Sequence, residues 1–311
     1  MSDKRDTTGA NNALPDHIRV NEPLARYSSW RIGGPAHYFA DVKTPEQLQE
    51  TLVWGQTQQL PIFILGGGSN ILIHDDGFAG LVVRYRDQDV RVREDGDTAY
   101  VRIGAGAPTA GTARKVTRQG WSGLEWAEGV PGTIGGAVSG NSGCYGGDIA
   151  SSLNRAWLLI DNKIEAWPVD RFGYGYRTSV LRSQISASPG PIIVAAEFKL
   201  IRADPRTLAI HLATISEERR SKTPSGQSCG SVFKNPSGDS AGRLIEAAGL
   251  KETRIGGAEI AQKHANYIVN RGDATCADVL QLIKLAKERV LAEFGVALEL
   301  EVQLVGGNRQ K

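Results

Sequence analysis

The chain has 311 residues, enough for about two domains with real hydrophobic cores, which excludes a disulfide-stapled miniprotein. Its 36 Lys and Arg against 34 Asp and Glu leave a net charge of +2, too little for a surface-wide field that would recruit nucleic acid or an acidic membrane. Three cysteines without a CxxC pair, and no apolar run of the 18 or so residues a membrane span needs, predict a reducing, cytoplasmic setting without structural zinc or a membrane partner.

Residues 1–19, opening MSDKRDTTGANN, have no apolar core and read as a disordered polar tail rather than a signal peptide. Ala36 to Asp41 reads as a strand. Thr44 and Gln47 form a capping box with Pro45 at the first helical position, predicting a helix to about Gln58. Pro61 to Leu65 is a short apolar run that stops at Gly66, as a buried strand feeding a tight loop would. From Leu81 the pattern alternates, and VRVRE and TAYVRI flank Asp95-Gly96-Asp97, a hairpin signal. A helix is predicted from Pro108 to Gln119, stopped by Gly120. After a glycine-dense loop, AWLLI, KIEAWPV and PIIVAAEFKL resume the strand pattern. A domain boundary falls near Arg202 to Pro205, where the last of these strands gives way to an Asp-Pro helix start. Thr275 caps a long helix that ends at Gly295, with Val279, Ile283, Ala286, Val290 and Phe294 on one face. The final LELEVQLV alternates: Leu298, Leu300, Val302 and Leu304 share one side, and Glu299, Glu301 and Gln303 share a polar side that must face solvent or a site. The predicted organisation is a first domain over 20–203 (subdomains about 20–85 and 86–203), a second over 204–306, and a short tail over 307–311, all α+β.

Glycine is in excess, 37 of 311 residues or about 12% against a usual share of about 7%. Three are consecutive at Gly66, Gly67 and Gly68, and eight fall between Gly129 and Gly147. Such loops let backbone amides converge on an anion without Cβ obstruction. Neither contains GxxxxGK[ST] or GxGxxG, so a P-loop and a Rossmann fingerprint are both absent. Ordinary turns are the bland alternative; a dinucleotide pyrophosphate gripped from two sides would use both loops. The five histidines and three cysteines show no metal-ligand spacing.

PIFILGGGSNILI followed by GVPGTIGGAVSGNSGCYGG resembles the FAD-binding fold of the vanillyl-alcohol oxidase and p-cresol methylhydroxylase type. SSWRIGGPA, YGYRTS, CGSVFKNP, IAQKHANYIVN and LELEV, in that order between about Leu24 and Gly306, resemble the UDP-N-acetylmuramate dehydrogenases, also called UDP-N-acetylenolpyruvoylglucosamine reductases. The resemblance implies a two-subdomain FAD-binding fold with a C-terminal α+β substrate-binding domain. It also implies a cytoplasmic enzyme of peptidoglycan synthesis, in which NADPH reduces noncovalently held FAD and the flavin passes hydride to UDP-N-acetylglucosamine enolpyruvate. The implied partners are that substrate and NADPH, with no obligatory protein partner. A sugar or hydroxy-acid oxidase on the same flavin fold, or a flavin or nucleotide-sugar binder without chemistry, are the alternatives. GSVFKNP together with LELEV argues against the first, and an intact catalytic set against the second.

By the same resemblance, Gly66, Gly67, Gly68, Ser69 and Asn70 hold the FAD pyrophosphate, with Gly129, Pro131, Gly132 and Gly135, then Gly136, Ala137 and Gly140, on the opposite wall. Hydride addition to the vinyl carbon leaves an enolate that needs charge stabilisation and a proton. The family's proton donor falls on Ser231, its catalytic arginine on Arg177 and its catalytic glutamate on Glu301, chosen over Glu299 by register and motif position. The candidate substrate contacts are Tyr176, Arg219, Arg220, Lys222, Lys234 and Asn235, and in IAQKHANYIVN Gln262, His264 and Asn266. Cys229 reads as a small buried hydrophobe, since reducing an enol ether needs no covalent catalysis. Only Thr178 to Gly190 separates Arg177 from the next strand, so the chain resembles the short form, without the tyrosine-bearing insertion.

Overall fold

A computed structural model describes residues 13–183 and 190–307. Most of the tail expected over 1–19, the last residues of the 307–311 tail and part of the Thr178–Gly190 connection lie outside the described residues.

The first sheet comprises β1 (Ile18–Pro23), β2 (Pro35–Val42), β3 (Ile62–Leu65) and, beyond the short β4 (Ile71–Ile73), β5 (Phe78–Tyr85), in the order β1-β2-β5-β3. β5 runs parallel to both neighbours, as expected of a strand, helix, strand unit. The crossing helix α1 (Pro45–Thr57) starts where the sequence places it, on Thr44, whose Oγ1 accepts from the Gln47 amide at 3.2 Å. Only half of the capping box forms, because the Gln47 side chain accepts from the Lys43 amide instead.

The second sheet begins with β6 (Val90–Asp95) and β7 (Thr98–Gly104), whose two-residue Gly96-Asp97 turn sets Asp95 opposite Thr98. Next come α2 (Thr109–Arg118), β8 (Trp121–Ser122), α3 (Ile134–Gly140), β9 (Gly143–Cys144), β10 (Gly147–Asp148) and α4 (Ile149–Ser152). They lead to β11 (Leu153–Ile160), β12 (Lys163–Pro168), α5 (Val180–Ser183) and β13 (Ile192–Arg202). The sheet order is β12-β11-β13-β7-β6, with β8 on the end of β13. One core joins the two sheets: Leu48 and Leu52 of α1 and Leu81 and Val83 of β5 belong to the same cluster as Val101 and Ile103 of β7, Val116 of α2 and Val138 of α3.

The remainder is α6 (Pro205–Lys222), α7 (Ala241–Ala247), β14 (Arg254–Ile255), β15 (Ala258–Ile260), β16 (Ile268–Asn270), α8 (Cys276–Phe294) and β17 (Gln303–Val305). α6 is capped by Asp204, whose carboxylate accepts from the Thr207 amide at 2.9 Å, and it packs back against α2. α8 buries Val279, Ile283, Ala286 and Val290 as its periodicity predicts, but Phe294 is exposed because the last turn runs past the core it covers. This second core also takes Trp30, Ile32 and Leu72 from the N-terminal part of the chain. Trp30 Nε1 donates to the Ile268 carbonyl at 2.6 Å and Asn270 Nδ2 to the Trp30 carbonyl at 2.9 Å, stitching the parts together.

LELEVQLV departs from its predicted form. Only Gln303–Val305 is a strand, parallel to β4, and Leu304 is exposed while Val305 is buried. The preceding residues pair elsewhere, through an isolated antiparallel bridge between Leu300 and Phe233: the Lys234 amide donates to the Glu299 carbonyl and the Glu301 amide to the Val232 carbonyl, both at 2.9 Å. No helix among the described residues is long and apolar enough to cross a membrane.

Candidate active site

A cavity of about 500 Å³, within the range of small-molecule sites, lies where the first sheet, α3 and the C-terminal part meet. Its floor is Gly66 to Asn70, the loop that β3 delivers, and its opposite wall is Val130 to Thr133 with Gly135, Gly136, Ala137 and Gly140 of α3. The two walls touch. A Cβ on Gly67 would stand 2.6 Å from Gly132 Cα, so only glycine lets the loops meet this closely. Gly68, at φ 66, is held by its carbonyl, which accepts from the Ser29 amide at 3.0 Å. Among the described residues, the amides of Gly67, Gly68, Ser69 and Asn70 donate no hydrogen bond, which leaves them free for an anion. Free donors on a loop whose side chains are pared away fit a dinucleotide pyrophosphate.

Arg177, Ser231 and Glu301 all line this cavity, brought from three distant stretches of chain. Arg177 sits at φ 56 in a turn closed by paired hydrogen bonds between Gly175 and Thr178. α3 fastens that turn: Tyr174 Oη donates to the Val138 carbonyl at 2.9 Å, Ser179 Oγ to the Ser139 carbonyl at 2.6 Å, and Asn141 Nδ2 to the Gly175 carbonyl at 3.1 Å. The Arg177 guanidinium reaches Glu301, with Nε 3.1 Å from Oε1. Burial pushes the Glu301 carboxyl above the ordinary glutamate value, against the opposing pull of Arg177, Arg182 and Lys234. It is therefore disposed to hold a proton beside a fixed cation. Glu299, its rival in the sequence, is exposed and pairs with Lys234 at 3.2 Å.

Ser231 is carried on the loop that follows Cys229. Asn266 clamps this loop from beneath: its Oδ1 accepts from the Phe233 amide at 2.9 Å, its Nδ2 donates to the Phe233 carbonyl at 2.8 Å, and its own carbonyl accepts from the Val232 amide at 2.8 Å. The Cys229 thiol points to the Gly68 and Ile71 carbonyls, and burial pushes it up to about 12, so it is no nucleophile. Cys144 lines the cavity, but its thiol donates to the Trp126 carbonyl at 2.8 Å and burial raises its pKa.

Several sequence candidates lie elsewhere. Gly129 is outside the cavity, because the Arg219 side chain lies across it; Arg219 itself lines the wall. Asn266 is buried and used up by its clamp, and His264 Nδ1 accepts from the Asn266 amide at 3.2 Å. Asn235 Oδ1 accepts from the Ala241 amide at the start of α7. Arg220 and Lys222 pair with Glu217 and Glu218 on α6, and Lys234 pairs with Glu299. Tyr176 and Gln262 are exposed outside the cavity.

The structure adds Arg182, Tyr267 and Gln303 to the wall. Gln303 shares the polar side of LELEVQLV with Glu301, so the alternation contained it. Tyr267 is one residue from Asn266 in a motif already singled out, whereas nothing in the sequence marks Arg182. No metal-ligating cluster exists among the described residues.

Residues 36–157 match the profile of the FAD binding domain, and residues 221–305 that of the UDP-N-acetylenolpyruvoylglucosamine reductase C-terminal domain. A UDP-N-acetylenolpyruvoylglucosamine reductase of Chloroflexus aggregans is 52% identical over 294 residues, covering 94% of this chain and 99% of its own. That of Rubrobacter xylanophilus is 38% identical over 288 residues, covering 93% and 95%. The crystal structure of UDP-N-acetylenolpyruvylglucosamine reductase from Thermus caldophilus superposes with a TM-score of 0.77 at 33% identity, over 93% of this chain and 98% of that one.

Proposed function

The chain belongs to the UDP-N-acetylenolpyruvoylglucosamine reductase family, and from that premise we propose how its cavity performs the reaction. The protein is an FAD-dependent oxidoreductase that reduces UDP-N-acetylglucosamine enolpyruvate to UDP-N-acetylmuramate with NADPH, a step of peptidoglycan synthesis. The observation that carries the mechanism is the meeting of Arg177, Ser231 and Glu301 in the cavity lined by both glycine loops.

Gly66 to Asn70 and the facing Gly132 and Gly136 would hold the FAD pyrophosphate through backbone amides, while Gly135, whose amide donates to the Ala105 carbonyl, lines the wall. Bound there, FAD supplies the hydride relay from NADPH to the enolpyruvyl double bond. The chain's residues then manage the substrate's charge and proton. Arg177 sits where it would neutralise the enolate that spreads onto the substrate carboxylate. Ser231 Oγ gives its proton to the carbon beside that carboxylate, a step a weak acid performs because an enolate is a strong base in a dry site. Glu301, whose carboxyl burial raises above the ordinary glutamate value, is held beside Arg177 and would support the charge developing on the substrate. Arg219, the cation that α6 sends into the cavity wall, is suited to the substrate diphosphate. Free cysteines and nucleotide-linked substrates support a cytoplasmic setting.

The test is anaerobic. The visible flavin band should bleach on NADPH addition and recover only when UDP-N-acetylglucosamine enolpyruvate is added. Recovery by oxygen alone would favour an oxidase, and a protein that cannot take up FAD would overturn the reading.

A further inference from the structure

Arg182 has no part in the chemistry just described, yet it joins two groups that do. It stands on α5, directly after the Arg177 turn. Its Nη1 donates to the Arg177 carbonyl at 3.0 Å, and its Nη2 donates to the Glu301 carbonyl. One rigid guanidinium fork thus ties together the backbones of two cavity residues that come from different parts of the chain. Regular structure holds neither of them. Arg177 is in left-handed backbone within a four-residue turn, and Glu301 lies just ahead of β17. Hydrogen bonds from a charged donor are among the stronger polar contacts, so this fork is a brace of real stiffness.

We propose that Arg182 is a positioning residue for this site: its fork fixes the separation of the Arg177 guanidinium and the Glu301 carboxyl, so that both engage the same substrate carboxylate. The reaction it serves rests on the functional reading above; the brace itself is geometry. An electrostatic consequence accompanies it. The Glu301 carboxyl is faced by Arg177, Arg182 and Lys234, and burial has stripped Arg182 of water, holding it below its ordinary value. Removing that cation leaves two of the three and should make Glu301 hold its proton to higher pH.

The test uses the holoenzyme with Arg182→Gln and Arg182→Lys. Three readouts are needed: flavin reduction by NADPH, reoxidation by the enolpyruvyl sugar, and the titration of Glu301 by NMR of 13C-labelled glutamate, assigned with Glu301→Gln. In Arg182→Gln the flavin should be bound and reduced as in the native protein, reoxidation should slow roughly 10²-fold, as a displaced catalytic pair would make it, and the Glu301 titration should move upward. Arg182→Lys keeps the charge without the fork, so its titration should stay near the native one while its rate still falls. Native reoxidation in Arg182→Gln or in Arg182→Lys would overturn the proposal, whatever the titration does. So would equal losses of thermal stability and FAD in both variants with no change at Glu301, since that is what simple packing would give. Should the native protein fail to react with the sugar, the functional reading falls, and the brace is decided by hydrogen exchange of the Glu301 amide, which should quicken in both variants and whose unchanged protection would overturn it.

Discussion

Gly67→Ala tests the cofactor cradle most directly. The new Cβ would stand 2.6 Å from Gly132 Cα, whereas non-bonded carbons settle at about 3.5–4.0 Å. Both partners are backbone, so no side chain can swing aside, and the two loops must part by about 1 Å. In the free protein the loops border a cavity and can separate at small cost. Closing both walls on one pyrophosphate restores the clash, so the penalty falls on binding. Forcing a methyl group into a filled space costs about 1–3 kcal/mol, which corresponds to FAD binding weaker by roughly 5- to 150-fold. Titration of the apoprotein with FAD, followed by flavin fluorescence, measures it. Gly111→Ala on α2 is the control, because its Cβ would meet only Pro108 Cβ at an ordinary 3.6 Å. That variant should keep the native FAD affinity and gain slightly in thermal stability from better helix propensity. Native FAD affinity in Gly67→Ala would refute the assignment of the two loops as facing walls of one site.

Ser231→Ala should bind FAD and accept hydride from NADPH normally, while reoxidation by the enolpyruvyl sugar slows roughly 10²–10⁴-fold, the range for loss of a general acid; rapid-reaction spectroscopy separates the half-reactions, and unchanged reoxidation would exclude Ser231. Glu301→Gln should lose turnover to a similar degree, whereas Glu299→Gln, at an exposed position, should stay within about twofold of native. Because burial raises Glu301, folding favours its neutral form; that contribution is complete below the ordinary glutamate value and lost as pH rises through the raised one. The melting temperature of Glu301→Gln relative to native should therefore climb with pH across that window, and a fall would reverse the sign of the shift. Thiol reagents should modify Cys144 first and FAD should protect it, while Cys229 and Cys276, both pushed up to about 12, should react only on unfolding; mass spectrometry of the labelled peptides decides.

Local rules carried the sequence far where the chain's own neighbours decide the outcome. Thr44, Asp204 and Thr275 start their helices, and Gly96 turns its hairpin, because a cap or turn needs only a few adjacent residues. Both glycine loops were visible as composition, and Arg177, Ser231 and Glu301 as motifs. Long-range competition for polar groups was not visible. Asn266, in a motif that suggested a ligand contact, spends its amide on Phe233. Asn235 spends its oxygen on α7, and Lys234 its charge on Glu299. The partners of Asn266 and Lys234 lie 33 and 65 residues away and that of Asn235 on the next helix, so residue type alone could not separate a group free to meet substrate from one already engaged. Arg182 failed the other way: its value lies in reaching two backbone carbonyls, which no side-chain pattern encodes.

That distinction explains why the last strand is so short. β17 need only be long enough to lock the C-terminal segment to β4, directly beyond the glycine loop. The Gln303 amide donates to the Asn70 carbonyl at 3.1 Å, and Asn70 Nδ2 donates to the Glu301 carbonyl at 3.1 Å. The loop assigned to the cofactor and the carboxyl assigned to the substrate are thereby fixed to each other through backbone, with Arg182 holding the same Glu301 carbonyl from the side of Arg177. A hydride acceptor and its charge-stabilising groups must keep their separation to a fraction of an ångström for transfer to be fast. Ahead of β17 the segment switches partner, pairing with the Ser231 loop through an isolated antiparallel bridge between Leu300 and Phe233. That bridge carries the Glu301 amide's bond to the Val232 carbonyl, which ties the loop bearing Ser231 to the segment bearing the acid. The broken alternation is the local cost of meeting three constraints at one residue.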